Sequence, residues 1–516
     1  MTTNKPFTLP GFPSHWTIGL QLFVLLLIVA VVGAGAYFGY PYLQQASQAA
    51  KAGETLRVGM NNFSGFAPGI WINNGVKADS ESRMSKEFGV KLEVVVQDDM
   101  NKLISGLKSG DLDAIFTTTD ISPISMDESG DLARMGVQQF LKIDDSRGAD
   151  VFIVDRSIQS VQQLKGKKIA VALGFPSNTL LHATLEAGGL TEKDVQIVAF
   201  PDPVAAKNAY ISDNADATVV WSPDDIACLE ARPSKVLTST EKMPNIIMDG
   251  FVARKDVLEK KKALFINFSK AWLTANAEMA DPTKLAAAAQ VYKVAFEVSD
   301  PVKDIIEGMK KVHFATYGDN INFFGLSTDY TGITGLSLYN KMARVYKNGY
   351  GNDIKNIVPW NLASNASIVQ AITDLTGDIH QAEKQIEFAP VASVAVEEAK
   401  PALATKSVSV NFGVNSALLS EEERDKIRRE VGATALELAG FRVRIEGNTD
   451  STGNRNLNIA LSRKRAQAVA DYLVKEYGFS TNRFIVVGNG PDKPVAANDT
   501  ELGRAQNRRT DFEFIQ

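Results

Sequence analysis

The 516-residue chain holds one cysteine, Cys228, and four histidines, at positions 15, 182, 313 and 380. A single thiol excludes an intramolecular disulfide framework and any cysteine-rich zinc or iron–sulfur site. Four scattered imidazoles argue against a histidine-based metal cluster. Neither sign of charge dominates: 55 basic residues face 60 acidic ones, for a formal net charge of −5. That leaves no polybasic field for nucleic acid. Gly-x-Ser-x-Gly, the phosphate-binding loop, His-Glu-x-x-His and the dinucleotide fingerprint are also missing. No enzyme and no cofactor is expected. What is present is a globular composition, 45% hydrophobic and 22% charged, which excludes disorder for the bulk of the chain. At roughly 150 residues per domain, the length predicts about three domains.

Thr17 to Gly39 runs without one ionisable side chain. At 1.5 Å per residue this stretch spans about 34 Å, enough to cross a hydrocarbon core of about 30 Å. Trp16 at one end and Tyr37, Tyr40 and Tyr42 at the other suit the two interfaces. The expectation is a transmembrane helix over 17–39, preceded by a short cytoplasmic tail over 1–16. Ala34-Gly35-Ala36 offers the small residues a signal peptidase cuts after, so cleavage stays open beside a retained anchor. Either way the remainder is exported. Gln21, the polar residue within the run, cannot titrate, which argues against a proton-carrying stator.

From Glu54 onward, short apolar runs alternate with helical spacing. Thr55–Met60, Val90–Val96 and Leu112–Thr118 read as strands, and 100–110 between the last two as a helix. The pattern recurs with strands at Lys168–Leu173, Val195–Phe200 and Asp216–Trp221, and helices at Asn178–Gly188 and Val204–Ile211. Two strand–helix–strand series predict two α/β lobes built on parallel sheets. Ligands in such sheets sit beyond the carboxyl ends of the strands. Asn61 to Phe66, Thr117 to Asp120, Gly174 to Thr179 and Trp221 to Asp224 fall there. Ser177 or Asn178 is expected to cap a helix whose free N–H groups face the cleft. Serine, threonine and asparagine after strands also serve as plain turn residues, so each loop alone is open to that reading.

The stretches GETLRVGMNNFSG, LKSGDLDAIFTT and QSVQQLKGKKIAV resemble the periplasmic solute-binding proteins of the nitrate, sulfonate and taurine class. The resemblance implies a two-lobed (type II) periplasmic-binding-protein-like domain over 54–380, with its second lobe at about 150–245. It also implies a cleft lined by Ser64, Thr118, Ser177, Asn178 and Trp221. By that resemblance the solute is anionic or zwitterionic, delivered to an ABC permease or reported to an envelope complex.

Residues 381–406 are rich in alanine, valine and glutamate, with Pro390 and Pro401 and no steady period. They predict a tether with a reach of roughly 25–31 Å if fully flexible. Strands then follow at Val408–Phe412, Phe441–Gly447, Phe484–Gly490 and Arg509–Phe514. A helix starts at the Ser420/Glu423 capping box, and a second covers Leu461–Gly478. This is an α+β domain over 407–516. The segments IEGNTDSTGNRNLNIALSRKRAQAVADYL and VVGNGPDKPVAANDTELGRAQNRR closely resemble the OmpA-like peptidoglycan-binding domain. That resemblance implies that Asp450 and Arg465 hold diaminopimelate, with Thr449 and Asn458 beside them. Asn448 stands where the family usually has histidine. The chemistry is apt, because one anion and one guanidinium fork match an ammonium and a carboxylate on one carbon. A structural Asp–Arg pair is the plain alternative, and Arg504, Arg508 and Arg509 are expected to brace loops.

The whole reads as a single-pass protein of the bacterial inner membrane with its bulk in the periplasm. Peptidoglycan and a small solute are its expected partners, with no nucleic acid. The alternative is an envelope scaffold whose solute-binding-like domain makes protein contacts.

Overall fold

The computed structural model describes residues 54–349, 356–413 and 415–515. The expected membrane helix at 17–39 and the tail before it lie outside them. Among the described residues, no helix is long and apolar enough to cross a membrane.

The first lobe is a six-stranded sheet in the order Val312–Phe314, Val137–Ser146, Met248–Arg254, Ala114–Thr118, Thr55–Met60, Lys91–Val96. The last three run parallel, and Met248–Arg254 lies antiparallel to its two neighbours. Leu56, Val58 and Met60 are wholly buried, as a strand covered on both faces requires. Helix Lys262–Glu278 covers one face with Phe265, Phe268 and Trp272. Helix Met100–Ser109 lays Leu103 and Leu107 in a separate cluster with Leu112 and Ile115. The section after Pro301 returns to this lobe through helices Val302–Lys310, Tyr317–Phe323 and Gly335–Gly349.

The second lobe is a five-stranded sheet in the order Gln196–Phe200, Lys168–Ala172, Ala217–Trp221, Asp150–Asp155, Ser234–Ser239. The chain enters it between Ser146 and Asp150 and leaves it after Ser239. The two crossings are bound together: the Ser146 hydroxyl donates to Asp150 Oδ2 (2.6 Å) and lies 2.7 Å from Thr240 Oγ1. The Gly148 N–H donates to Thr240 Oγ1 at 2.8 Å. This is the hinge.

The C-terminal domain has four strands in the order Ala402–Val408, Thr510–Ile515, Arg442–Asn448, Phe484–Gly490. Its long helix, Arg455–Tyr477, buries Ser462, Ala466, Val469 and Leu473 along one side, the side its sequence marks. Gly447 lets this helix approach the sheet, since a Cβ there would stand 2.2 Å from the Ser462 carbonyl oxygen. Gly447→Ala is therefore expected to cost about 1–3 kcal/mol by overpacking. Denaturant unfolding of the variant checks this, and an unchanged midpoint would refute it.

Two expectations need correction. The first strand of this domain runs over Ala402–Val408, not Val408–Phe412, and takes in the end of the predicted tether. The rest of the tether is not a free coil. The Glu383 N–H donates to Asp319 Oδ1 (2.7 Å) and Gln385 Nε2 to the Tyr477 carbonyl (3.0 Å). Arg442 Nη2 donates to the Ala389 carbonyl (2.7 Å), and Arg444 Nη1 to those of Glu398 (2.7 Å) and Lys400 (3.0 Å). Half-buried and buried guanidinium groups need acceptors, and the irregular segment offers its free carbonyls.

Nor does the domain hang apart. Leu403, Leu438 and Phe441 share one apolar core with Leu164, Leu181, Leu185 and Met243 of the second lobe. The Gly440 N–H donates to the Lys242 carbonyl at 3.0 Å, a close approach that a Cβ 2.8 Å from Lys242 Cα would block.

Candidate functional site

Among the described residues, the predicted site residues fall in two places. In the C-terminal domain, strand Arg442–Asn448 ends in a loop held by the Thr449 N–H on the Gly490 carbonyl (2.8 Å). Asp450 Oδ1 accepts from the Thr452 N–H (2.9 Å), and Oδ2 accepts from Arg508 Nη1 (2.7 Å). Partial burial acts to raise the Asp450 pKa, but the Arg508 and Thr452 hydrogen bonds outweigh it and hold the carboxyl below the usual range. Arg465 lies over the Phe412 ring, 5.0 Å from its centroid, and donates to the carbonyls of Ser416 (3.0 Å) and Gly413 (3.2 Å). Burial lowers its pKa, while Asp450 acts in the opposite direction. A small pocket lined by Phe412, Asn448, Ser462, Arg465 and Arg508 lies at this end of the sheet.

The structure thus brings Asp450 and Arg465 to one region without a bond between them. The Thr449 hydroxyl donates to the Asp450 carbonyl (2.8 Å), and Asn458 Nδ2 to the Thr452 carbonyl (2.9 Å), so both brace the loop. Asn448 Nδ2 donates to Asp511 Oδ2 (3.0 Å) and its Oδ1 accepts from Asn489 (3.1 Å), tying neighbouring strand ends together. Arg508 was expected to brace a loop, and it does so by donating to Asp450 Oδ2 and to Glu501 Oε1 (2.8 Å); what the sequence did not show is that its partner is the predicted binding carboxylate. Arg504 and Arg509 also brace, on the carbonyls of Asn498 and Lys493.

The second place is the junction of the lobes. Thr118 ends its strand opposite Asp249, and its buried hydroxyl has no partner. Ser177 and Asn178 open helix Ser177–Ala187, fully buried, with the Ser177 hydroxyl and both Asn178 amide atoms unpartnered. The expected cap is not made: Pro176 occupies the N-cap position, with no side-chain hydrogen bond. Trp221 packs on Phe175, with ring centroids 6.1 Å apart. Ser64 opens a short turn beside Gly65, whose backbone lies against the Asp144 carboxylate. The lobes are closed. Thr179 Oγ1 donates across the junction to Asp120 Oδ2 (2.6 Å), and Lys311 Nζ donates to Ser222 Oγ (2.5 Å) and Asp225 Oδ2 (3.2 Å).

What the sequence did not reveal is how many acids converge here. Asp120, Asp144, Asp150 and Asp249 are all buried. Asp144 and Asp249 are direct cross-strand neighbours. Burial pushes Asp249 well above the usual carboxylate range, and Asp144 beside it raises it further. Burial likewise raises Asp120, and carries Asp150 up to about 6 against the Ser146 hydrogen bond. Such groups bind protons more tightly in the fold than in the unfolded chain, where aspartate titrates near pH 4. Their stabilising contribution is full below about pH 4 and is lost as pH rises through the raised values. The ligand-free chain is therefore expected to lose stability relative to Asp249→Asn as pH rises from about 4 through the raised value of Asp249, at up to about 1.4 kcal/mol per pH unit. Parallel melting profiles for the two proteins would refute this.

Known proteins resemble both parts. Residues 411–508 match the model of the OmpA family, and residues 86–284 the one described as NMT1/THI5 like. The chain is 49% identical over 103 residues to the peptidoglycan-binding protein ArfA of Mycobacterium tuberculosis, covering 20% of this chain and 31% of that protein. It is 33% identical over 153 residues to the outer membrane protein Omp38 of Acinetobacter baumannii, covering 29% and 42% respectively. The match thus spans less than half the length of either relative. Among solved structures, the periplasmic aliphatic sulphonate binding protein SsuA of Escherichia coli aligns with a TM-score of 0.45 and 20% identity, over 60% of this chain and 97% of that one. A putative periplasmic sulfonate-binding SsuA of Methylobacillus flagellatus aligns with a TM-score of 0.47 and 19% identity, over 61% and 93%. The chain thus carries a C-terminal region that matches the OmpA family model, preceded by a two-lobed domain in which residues 86–284 match the NMT1/THI5-like model.

Proposed function

We propose that this is an envelope protein that grips peptidoglycan with its C-terminal domain and a small solute between its two lobes. The observation that carries the first half is the grouping of Asp450, Arg508 and Arg465 around one loop and pocket. A diaminopimelate terminus presents an ammonium and a carboxylate on a single carbon. Asp450 accepts from the ammonium, and the two guanidinium groups take the carboxylate in charge-assisted hydrogen bonds. The likeness to the peptidoglycan-binding protein ArfA supports peptidoglycan as the ligand. The apolar run over 17–39 fixes the other end in the inner membrane, which leaves the lobes in the periplasm. There a solute captured by lobe closure serves uptake through an ABC permease or sensing by an envelope complex.

The docked C-terminal domain and the Asp120–Thr179 bond across the junction favour a second reading, an envelope scaffold with closed lobes. Sacculus binding by the full chain in detergent tests the first half. Retention on sacculi with diaminopimelate stem peptides, release by free meso-diaminopimelate and no retention on lysine-type sacculi are expected. Equal retention on both types would overturn the ligand assignment.

A further inference from the structure

Four buried carboxyl groups meet where the lobes close, and among the described residues no basic side chain pairs with any of them. Lys142 is bound to Asp145 at 2.8 Å, and Lys311 to Asp225 and Ser222. Asp144 and Asp249 face each other on adjacent strands, Thr118 flanks Asp249 on its other side, and Asp120 follows two residues after Thr118. Like charges so placed are costly in a low-dielectric interior.

A second observation is independent of charge. Thr118 Oγ1, Asp120 Oδ1, Ser177 Oγ, Asn178 Oδ1 and Asn178 Nδ2 are all buried without a hydrogen-bond partner. The first two belong to one lobe and the others to its opposite. The Thr179–Asp120 bond holds the two groups against each other at 2.6 Å. Buried polar groups in native proteins are paired in roughly nine cases of ten, so these unpartnered atoms mark a place that suits a small polar ligand.

The ligand these side chains suit has a definable chemistry. A sulfonate or nitrate would add another negative charge to a carboxyl cluster. Burial favours the protonated form of these carboxyls in the ligand-free chain; once ionised they only accept, so a ligand that takes the place of their protons must be a group that is all donor. A primary ammonium provides three N–H donors and one positive charge, while the Ser177, Thr118 and Asn178 side chains suit the polar remainder of a small molecule. A divalent metal is the other cation to consider, but among the described residues no three acidic, histidine or cysteine side chains converge as ligands.

We propose that the solute bound between the lobes carries a primary ammonium group, recognised by the cross-strand pair Asp144 and Asp249, with Asp120 adding to the negative field around it. This rests on the reading of the junction as a solute site. Entry requires the lobes to part, breaking the Thr179–Asp120 and Lys311–Ser222 bonds, and reclosure then buries the amine among the acids.

The test uses the full chain in detergent, with calorimetric titration and melting curves for putrescine, spermidine, ethanolamine and arginine against ethanesulfonate and nitrate. At least one amine is expected to bind and raise the melting temperature by several degrees, with neither anion doing so. Asp249→Asn and, separately, Asp120→Asn should each weaken that amine at least tenfold while leaving the ligand-free chain folded. Two variants guard against one failing to fold. Binding of ethanesulfonate or nitrate without any amine would overturn the ammonium assignment and leave the solute site standing. Binding of an amine that both variants leave unchanged would overturn the assignment to these acids. No effect from any probe would overturn the proposal and the solute site together.

Discussion

Asp450→Ala should weaken retention on diaminopimelate-type sacculi at least about thirtyfold while leaving the C-terminal domain folded. The carboxylate is the acceptor aimed at the ligand's ammonium. Truncating one member of a hydrogen-bonded charge pair in an interface costs about 2–5 kcal/mol, much of it from stranding the opposite charge. In the complex that charge is the ligand's ammonium; in the free protein Asp450 pairs instead with Arg508, 2.7 Å away, with a side chain 39% exposed. Such a partly hydrated pair adds only about 0.2–1 kcal/mol to stability, so a small shift in melting temperature should accompany a large loss of binding. Arg508→Ala discriminates between two roles. If Arg508 only occupies Asp450 until ligand arrives, its removal leaves binding unchanged or stronger. If it helps hold the ligand carboxylate, binding falls by a factor similar to that for Arg465→Ala, and Arg508→Lys restores part of it without the bidentate geometry. The second result is expected. Normal retention of Asp450→Ala would remove this loop from the wall-binding surface.

The parts of this molecule that sequence exposes are those decided locally. Thr55–Met60, Gln196–Phe200 and Ala217–Trp221 lie within a residue or so of where apolar runs between turn residues place them. Ser462, Ala466, Val469 and Leu473 mark the buried side of their helix by spacing alone. What stayed hidden depends on residues far apart in the chain. Arg508 meets Asp450 across 58 residues, and Thr179 meets Asp120 across 59. Nothing in the local pattern around any of them announces the other. The acids at the lobe junction were likewise invisible as a group, because Asp120, Asp144 and Asp249 come from three separate strands or strand ends and gather only when the sheet forms. The tether misled for a different reason. Its irregular composition does predict an absence of regular structure, but an irregular backbone still offers carbonyls, and Arg442 and Arg444 take them. The strand at Ala402–Val408 escaped notice because a bulge between Ala402 and Ala404 breaks the alternation that would have marked it.

Lys341→Met is expected to separate the C-terminal domain from the lobes. Lys341 lies on helix Gly335–Gly349 of the first lobe, yet its Nζ is 2.7 Å from Glu186 Oε2 on the second lobe and 2.5 Å from Glu437 Oε1 in the C-terminal domain. One ammonium therefore ties three bodies together. Burial raises the Glu437 pKa while Lys341 and Lys406 oppose that rise, and the two flanking glutamates hold Lys341 itself protonated above its ordinary value despite its own burial. Methionine keeps most of the apolar stem and removes the charge, leaving Glu437 buried with Lys406 as a weaker neighbour. Breaking a buried pair from one side costs about 3–5 kcal/mol. The lower end applies here, because Glu186 is 40% exposed and rehydrates. In calorimetry the variant should show the C-terminal domain melting in a separate transition below that of the lobes. Lowering the pH through the raised value of Glu437 should restore joint melting by neutralising the stranded carboxylate. Lys341→Met combined with Glu437→Gln should regain most of the loss, since the pair is then replaced rather than broken. Because the same lysine also bridges the lobes, the single variant should bind cleft ligands with altered affinity even though it touches none of Asp120, Asp144 or Asp249. Unchanged melting would show that the shared apolar core of Leu403, Leu438 and Phe441 with Leu181 and Met243 holds the domain without the ionic tie.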